Sequence, residues 1–270
     1  IYATKPFQSQ NKTIERNALM FNDRLIQSLR DAQHLVILTG AGVSAESGIP
    51  TFRDAMTGLW ARYDPQQLAS ENGFRADPAL VWGWYEWRRA KVMHSSPNPA
   101  HRAIAQFQQL VTKLTLITQN VDDLHERAGS QFVIHLHGSL HEAQCIACAT
   151  PFALSAAPTV ISESKRVEPP RCPACDDYIR PGVVWFGESL PLDSWNAAED
   201  AAQHCDVLMS IGTSALVYPA ASLPLVALNA GAQLIQLNPD KTNLDAKAHF
   251  NLHGKAGDLL PTLLQAVYAH

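Results

Sequence analysis

The sequence predicts a doubly wound α/β fold, a parallel sheet covered by helices, with a smaller zinc-containing domain inserted in it. Three observations predict it: short unbroken apolar runs that alternate with helical patterns, a glycine-rich turn directly after the first run, and two Cys-x-x-Cys pairs in mid-chain. The composition agrees with one large domain carrying an insert: 270 residues, 46% hydrophobic and 17% charged, too apolar for a disordered chain. Lys and Arg number 21 against 25 Asp and Glu, a net charge of -4, so no global field draws the chain to nucleic acid or to an anionic membrane. No apolar run approaches the roughly 18–20 residues of a membrane span. Residues 1–19 carry Lys5, Lys12 and Arg16 with one acid, Glu15, and lack the apolar centre of a signal peptide; they read as an N-terminal extension ahead of a start near Met20, with a transit-peptide remnant as the other reading.

In chain order the pattern predicts a helix over Asn22–Gln33, then a strand over Leu35–Thr39. Helices over Ala79–Met93 and Ala100–Leu110 come next, then strands over Leu114–Thr118 and Val133–Leu136. The last third alternates: helix Trp195–His204, strand Asp206–Ile211, helix Ala220–Ala230, strand Gln233–Leu237 and a closing helix Asp258–Ala269. Most of these strands are unbroken apolar runs, which suits parallel strands buried on both faces.

Four of the five cysteines form two knuckles, Cys145-x-x-Cys148 and Cys172-x-x-Cys175. Each knuckle sets two sulfurs on one side of a metal about 2.3 Å away, and four thiolates leave zinc no open position, so the site is structural. Disulfides or redox pairs are the other readings, but they suit a secreted chain or a thioredoxin-like unit, and neither context is present. Pro170, Pro173 and the polar stretch Ser155–Glu168 make an irregular loop that needs metal to fold. Cys205, beside the Val207–Ile211 run, reads as a small core residue.

The first strand runs into Gly40-Ala41-Gly42-Val43-Ser44-Ala45, a G-x-G-x-x-A turn. Glycines there let backbone N–H groups approach a pyrophosphate, and the N-terminus of a following helix favours negative charge; a plain glycine-rich turn is the other reading. The next stretch, Glu46 to Asp54, is a polar loop broken by Pro50 rather than a second strand ending in an acid, so a nucleotide fits but a redox role for it is not indicated. Further polar clusters end the other strands: Gln119-Asn120-Val121-Asp122, His137-Gly138, Gly212-Thr213-Ser214 and Asn238-Pro239. Open α/β sheets bind ligands at that edge, and a histidine there can act as general base near neutral pH. His137 ends a strand immediately before a glycine, which exposes its ring; His101, His125, His135 and His141 are alternatives.

The run Gly40 to Asp54, GAGVSAESGIPTFRD, closely resembles the signature of the sirtuins, NAD-dependent protein lysine deacylases. Gln119 to Asp122, His137-Gly138, the two Cys pairs, Val184-Trp185-Phe186-Gly187-Glu188, Gly212 to Ser214 and Asn238 are similar to the family's further motifs, in the family's order, across roughly residues 34–260. The resemblance implies a Rossmann-type NAD-binding large domain built from residues 20–60, 100–138 and 181–270. It implies a small domain from 61–99 and 139–180 that holds structural zinc, with the acylated-lysine protein substrate in the cleft between the two. NAD is then a consumed co-substrate: the acyl oxygen attacks the ribose carbon as nicotinamide leaves, giving free lysine and O-acyl-ADP-ribose. His137 matches the general base for a ribose hydroxyl. Gly40, Ala41, Gly42, Ser44 and Ala45 match the phosphate turn, Phe52 and Arg53 a loop that covers the cofactor, and Trp60 a further cofactor contact. Gln119, Asn120 and Asp122 match the ribose and nicotinamide side, and Gly212, Thr213, Ser214, Asn238 and Ala256 the phosphates and adenosine. Val184, Phe186 and Gly187 resemble the strand that pairs with the substrate backbone.

Tyr85 and Arg88, three apart in a helix, share a face, and a planar guanidinium with a phenol offers a clamp for a carboxylate. An aromatic core helix with surface arginines is the competing reading of Val81 to Arg89; the spacing resembles the Tyr-x-x-Arg pair of sirtuins that remove succinyl and malonyl groups. An ADP-ribosyl transferase or NAD hydrolase on the same cofactor site is the alternative enzyme, and a zinc-module adaptor that senses NAD the non-enzymatic one. Short termini resemble bacterial members, and the resulting expectations are a monomer in the cytoplasm with no nucleic acid or membrane partner.

Overall fold

The computed structural model describes residues 21–51, 64–155, 158 and 162–268. A six-stranded sheet in the order β3-β2-β1-β6-β7-β8 forms the larger body, with every neighbouring pair parallel. Its strands are β1 His34–Thr39, β2 Lys113–Thr118, β3 Ile134–His135, β6 Val207–Ile211, β7 Gln233–Leu237 and β8 Phe250–Leu252. Successive strand residues face opposite sides, so one unbroken apolar run feeds two cores. Leu35 and Ile37 pack with Leu116 and Met209 under helices α1 (Asp23–Asp31), α5 (Pro99–Leu110) and α9 (Ala256–Tyr268). Val36 and Leu38 pack with Ile117 and Leu208 under α7 (Leu192–Gln203) and α8 (Leu223–Asn229) on the other face. The unbroken runs thus behave as predicted, and the Rossmann-type doubly wound sheet is present.

Helix starts obey local chemistry. Asn22 accepts from the Arg24 N–H to cap α1, and Asn98 forms a capping box with His101 over α5, which Pro99 opens. Asp77 caps the 17-residue α4 (Pro78–His94), with Pro78 in its first turn.

A third core lies beyond the sheet. The antiparallel pair β4 (Gly138–Cys145) and β5 (Ile179–Val183) packs with α2 (Pro65–Leu68), α3 (Glu71–Ala76) and α4 through Leu68, Phe74, Trp82, Trp84, Tyr85, Leu140, Ile179 and Trp185. Gly83 of α4 lets the loop between the two knuckles cross the helix: a Cβ there would stand 2.0 Å from the Lys165 carbonyl oxygen, and Val167 N–H donates to Ala79 O at 2.9 Å. The sequence pattern did not predict β4, β5, β8, α2, α3 or the short α6 (Leu124–Arg127). β4 buries Leu140, Ala143 and Cys145 past a register irregularity between Gly138 and Ala143, which disrupts a strict alternation.

Two expectations need correction. No α-helix forms directly after the glycine turn: the chain makes two single 3-10 turns, Ala41–Val43 and Ala45–Ser47, and Gly48 at φ +80 with Pro50 beyond it ends them. No strand forms within this chain over Val184 to Gly187, because β5 ends at Val183; Val184 N–H donates to His137 O and Phe186 N–H to Ala69 O, and the chain then turns through Gly187 at φ +88. Phe52, Arg53 and Trp60 lie outside the described residues.

Candidate active site

β1 is flanked by β2 on one side and by β6 on the other, so the sheet order reverses there. A crevice opens at such a switch point, beyond the carboxyl ends of the strands. The turns leaving β1 and β6 interlock at it: Gly42 N–H donates to Gly212 O at 2.8 Å, and Gly40 N–H to Ile211 O at 3.0 Å. A Cβ on Gly42 would sit 2.7 Å from Gly212 O, and one on Gly212, itself at φ +60, would sit 2.5 Å from Val43 N. Only glycine fits either position. The turn therefore presents bare backbone to the crevice, as a pyrophosphate site requires.

Side chains from the other strand ends tie these turns together. Ser44, buried, donates to Asp122 Oδ2 at 3.0 Å and accepts from Asn120 Nδ2 at 3.1 Å. Gln119 Nε2 donates to Thr213 Oγ1 at 3.1 Å, and Asn238 Nδ2 reaches Thr213 O at 3.5 Å. Ser214 lies half-buried beside Thr213. Ala256 opens α9, where Glu46 Oε2 accepts from Gly257 N–H at 2.8 Å and so joins the phosphate turn to that helix. Burial raises the pKa of Asp122, against the hydrogen bonds from Leu124 N–H and Ser44 that favour its charge.

His137 is set by one contact. Its Nδ1 lies 3.0 Å from the Gln119 carbonyl, which can only accept, so Nδ1 carries the proton and Nε2 keeps a free lone pair. Burial lowers the pKa, the carbonyl contact opposes that, and the ring is neutral at neutral pH. Among the described residues Nε2 has no partner, the arrangement a general base needs. The other candidate histidines are occupied: His101 and His125 are fully buried, His135 Nε2 pairs with Glu126 at 2.7 Å and His141 Nε2 with Asp123 at 3.4 Å. The last two pairs line a cleft of about 820 Å³ that also touches Gly138 and Asp193.

Sequence reasoning passed over a buried network beneath the crevice. Thr39 Oγ1 donates to Thr118 Oγ1 at 2.8 Å, and Thr118 Oγ1 also accepts the Asn120 N–H at 3.0 Å. His125 Nε2 lies 3.0 Å from Thr39 Oγ1, and its ring stands 4.9 Å from that of His101. Thr39 and Thr118 close two adjacent apolar strands, and a hydroxyl at each end was the signal available.

On α4, Tyr85 is buried and its hydroxyl accepts from Trp185 Nε1 at 3.0 Å. Arg88 lies 4.8 Å from the Trp84 ring and 5.7 Å from the Tyr85 ring, and among the described residues it has no hydrogen bond or ion pair. Its neighbour Arg89 is the reverse case, paired to Glu86 at 2.9 Å and donating to Ser155 O.

The four cysteines converge. Sulfur separations are 3.4 Å for Cys145 and Cys175, 3.5 Å for Cys148 and Cys175, and 3.6 Å for Cys148 and Cys172, with all four within 4.8 Å of one another. A tetrahedron with zinc–sulfur bonds of about 2.3 Å has edges of about 3.8 Å, so the set fits zinc. No disulfide forms among them. The knuckles are near copies: Cys145 N–H donates to Thr150 O and Ala149 N–H to Cys145 O, as Cys172 N–H does to Asp177 O and Asp176 N–H to Cys172 O. Ala147 and Cys148 N–H also point at the Cys145 sulfur, 3.4 and 3.5 Å away, and stabilise a thiolate.

Fold and site together define a doubly wound dinucleotide-binding protein with a four-cysteine structural metal module. The Sir2 family profile matches residues 40–219, and the chain belongs to that family. An NAD-dependent protein deacylase of Methylococcus capsulatus is 58% identical over 248 residues, covering 92% of this chain and 97% of the relative. NAD-dependent protein deacylase 1 of Archaeoglobus fulgidus is 48% identical over 247 residues, covering 91% and 98%. Among solved structures, a Sir2 homologue–NAD complex superposes with a TM-score of 0.84 at 48% identity, covering 92% of this chain and 94% of that one. Sir2Af2 bound to a myristoylated histone peptide superposes at 0.72 with 33% identity, covering 94% and 97%.

Proposed function

We propose that the protein removes acyl groups from protein lysines with NAD as co-substrate, and that these include acyl chains ending in a carboxylate. Family membership and the deacylase names of its relatives support the reaction. When bound, NAD supplies the ribose carbon that takes the acyl oxygen as nicotinamide leaves. The interlocked turns at Gly40, Ala41, Gly42 and Gly212, with Thr213, Ser214 and Asn238, hold the phosphates and adenosine. Ala45 and Ala256 flank them. Ser44, Gln119, Asn120 and Asp122 fix the ribose side, and His137 Nε2 takes a proton from a ribose hydroxyl. Val184, Phe186 and Gly187 line the substrate strand. Phe52, Arg53 and Trp60 belong to the same proposed cofactor set.

The acidic acyl specificity rests on Arg88. A partly enclosed guanidinium among aromatic rings, with no carboxylate in ion-pair contact, has lost water and gained no direct counter-ion. Burial of that kind is costly until an anion arrives. The Tyr85 oxygen already accepts from Trp185, so its own O–H adds a donor to the same place. A guanidinium and a phenol O–H set side by side suit the carboxylate of a succinyl or malonyl end.

We assign residues 20–60, 100–138 and 181–270 to the NAD-binding domain and 61–99 with 139–180 to the small domain. The third core, which joins α4 to both knuckles, supports a separate small domain, and it also takes in Val183 and Trp185 from just beyond the boundary at 180. We propose a cytoplasmic monomer; the four clustered cysteines form no disulfide, which suits a reducing compartment. Among the described residues no helix is long and apolar enough to cross a membrane.

The test is mass spectrometry of matched acetyl-lysine and succinyl-lysine peptides with and without NAD. Loss of both acyl groups only with NAD, with O-acyl-ADP-ribose formed, is the expected result. NAD consumption with both peptides intact, or addition of ADP-ribose to the peptide, would overturn it.

A further inference from the structure

The Trp185 side chain is buried between the small sheet and α4, and every polar atom it carries is committed. Its backbone N–H donates to Glu188 Oε2 at 2.8 Å. Glu188 is clamped in turn by both terminal guanidinium nitrogens of Arg180, whose Cζ lies 3.6 Å from the centroid of the Trp185 ring and whose Nη2 also donates to Val183 O at 2.8 Å. Phe74 closes another side, 5.4 Å between ring centroids. The indole is thus fixed by a half-buried ion pair and by packing, and its one donor ends on the Tyr85 oxygen at 3.0 Å.

That bond has a directional consequence. A phenol O–H lies near the ring plane and has two positions about the C–O bond; an N–H arriving at one lone pair leaves the other side for the proton. Tyr85 has no acceptor for that proton among the described residues, and Arg88, one helical turn on, has no acceptor for its own donors. We propose that Trp185 is a positioning residue for acyl selectivity: its indole N–H turns the Tyr85 hydroxyl into a pure donor directed, with the Arg88 guanidinium, at the carboxylate of an acidic acyl chain. The inference rests on the acidic-acyl reading and adds a residue that touches no substrate. Without the N–H, the phenol oxygen would be an unmet buried acceptor and its proton would be free to turn away from the pocket.

The experiment is a double-mutant cycle on the ratio of kcat/KM for a succinyl-lysine peptide to that for the matched acetyl-lysine peptide, in the zinc-loaded enzyme with saturating NAD. Trp185→Phe keeps an aromatic ring and deletes the N–H; the ratio is expected to fall about three- to tenfold, the worth of one neutral hydrogen bond. Tyr85→Phe lowers the ratio as well, and adding Trp185→Phe to it produces no further fall, because the indole acts only through the phenol. An unchanged ratio in Trp185→Phe, or an equal further fall in the Tyr85→Phe background, overturns the proposal. Should Trp185→Phe fail to fold, benzothienylalanine at position 185, with sulfur in place of the N–H, keeps the shape and gives the same readout. A wild-type enzyme that removes acetyl but never succinyl groups would instead defeat the acidic-acyl reading itself.

Discussion

Protonating His101 would set two donors against each other. Its Nδ1 accepts the Asn98 N–H at 3.3 Å, and Ser44 Oγ, 3.4 Å from Nε2, gives its proton to Asp122, so the ring holds one proton, at Nε2. Burial pushes its pKa down to about 4 from an ordinary 6.5. Above pH 6.5 neither state binds the extra proton, and between about 6.5 and 4 the unfolded chain binds it and the folded one does not. Stability therefore falls as the pH falls through that window, by up to about 3 kcal/mol from this residue, and levels off below it. Urea unfolding across pH 4–7 should show a shallower decline in His101→Asn than in the parent, and the difference between the two curves isolates this ring from metal effects. Identical curves would show that His101 does not titrate on unfolding. At the proposed acyl pocket, Arg88→Met would remove charge-assisted bonds to the substrate carboxylate worth roughly 1.5–3 kcal/mol, so desuccinylation should fall about 10- to 150-fold relative to deacetylation. Equal losses on the two peptides would dismiss the clamp. His137 stood out in the sequence as a candidate base from its place before Gly138, and the structure adds that the Gln119 carbonyl holds its Nδ1, with no partner for Nε2 among the described residues. Trp185 was not legible, because a buried tryptophan in an apolar run looks like packing until its N–H has a partner.

Among the elements, the knuckles invite a comparison of two residues in one backbone role. Ala149 and Asp176 each come directly after the second cysteine of a pair and hold φ of +56 and +61. Left-handed backbone costs a residue with a Cβ roughly 1–2 kcal/mol, whereas aspartate visits it more readily. Ala149→Gly should therefore make the metal module harder to strip, by up to about 1 kcal/mol after the extra freedom of an unfolded glycine is counted, and Asp176→Gly should change it little. Competition with a chelator, read out with a metal-sensitive dye, measures both. A weaker site in Ala149→Gly would contradict the strain argument. The central strands of the large sheet were readable because both faces are buried, so every residue of β1 is apolar except its ends. β4 hid because its register shift breaks alternation, and β8 because three residues are too few to show any period. The 3-10 turns after Gly40 defeated the expectation of a helix for a local reason, Gly48 and Pro50 arriving before one could propagate.

At the scale of the whole molecule, the four-cysteine site and the proposed acyl pocket share one core. Cys145 and Cys172 are buried in the same cluster as Tyr85 and Trp185, and Val167, between the knuckles, is bonded to Ala79 on α4. Stripping zinc should thus cost more than a loop. A loss of about 5 kcal/mol would lower Tm by roughly 10–20 °C, and succinyl-lysine turnover should disappear with the metal and return when zinc is restored. Unchanged melting and turnover after complete metal release would separate the module from the pocket. The order of motifs along the chain made the family readable, but not this coupling, which depends on contacts between segments far apart in sequence.

The turns at Gly42 and Gly212 are each shaped by the backbone of the other, with no room for a methyl group on either side. They are two halves of one fitted joint, although more than half of the chain runs between them. A library that varies one turn alone will return glycine every time. New nucleotide preferences will have to be sought in variants that redraw both turns at once.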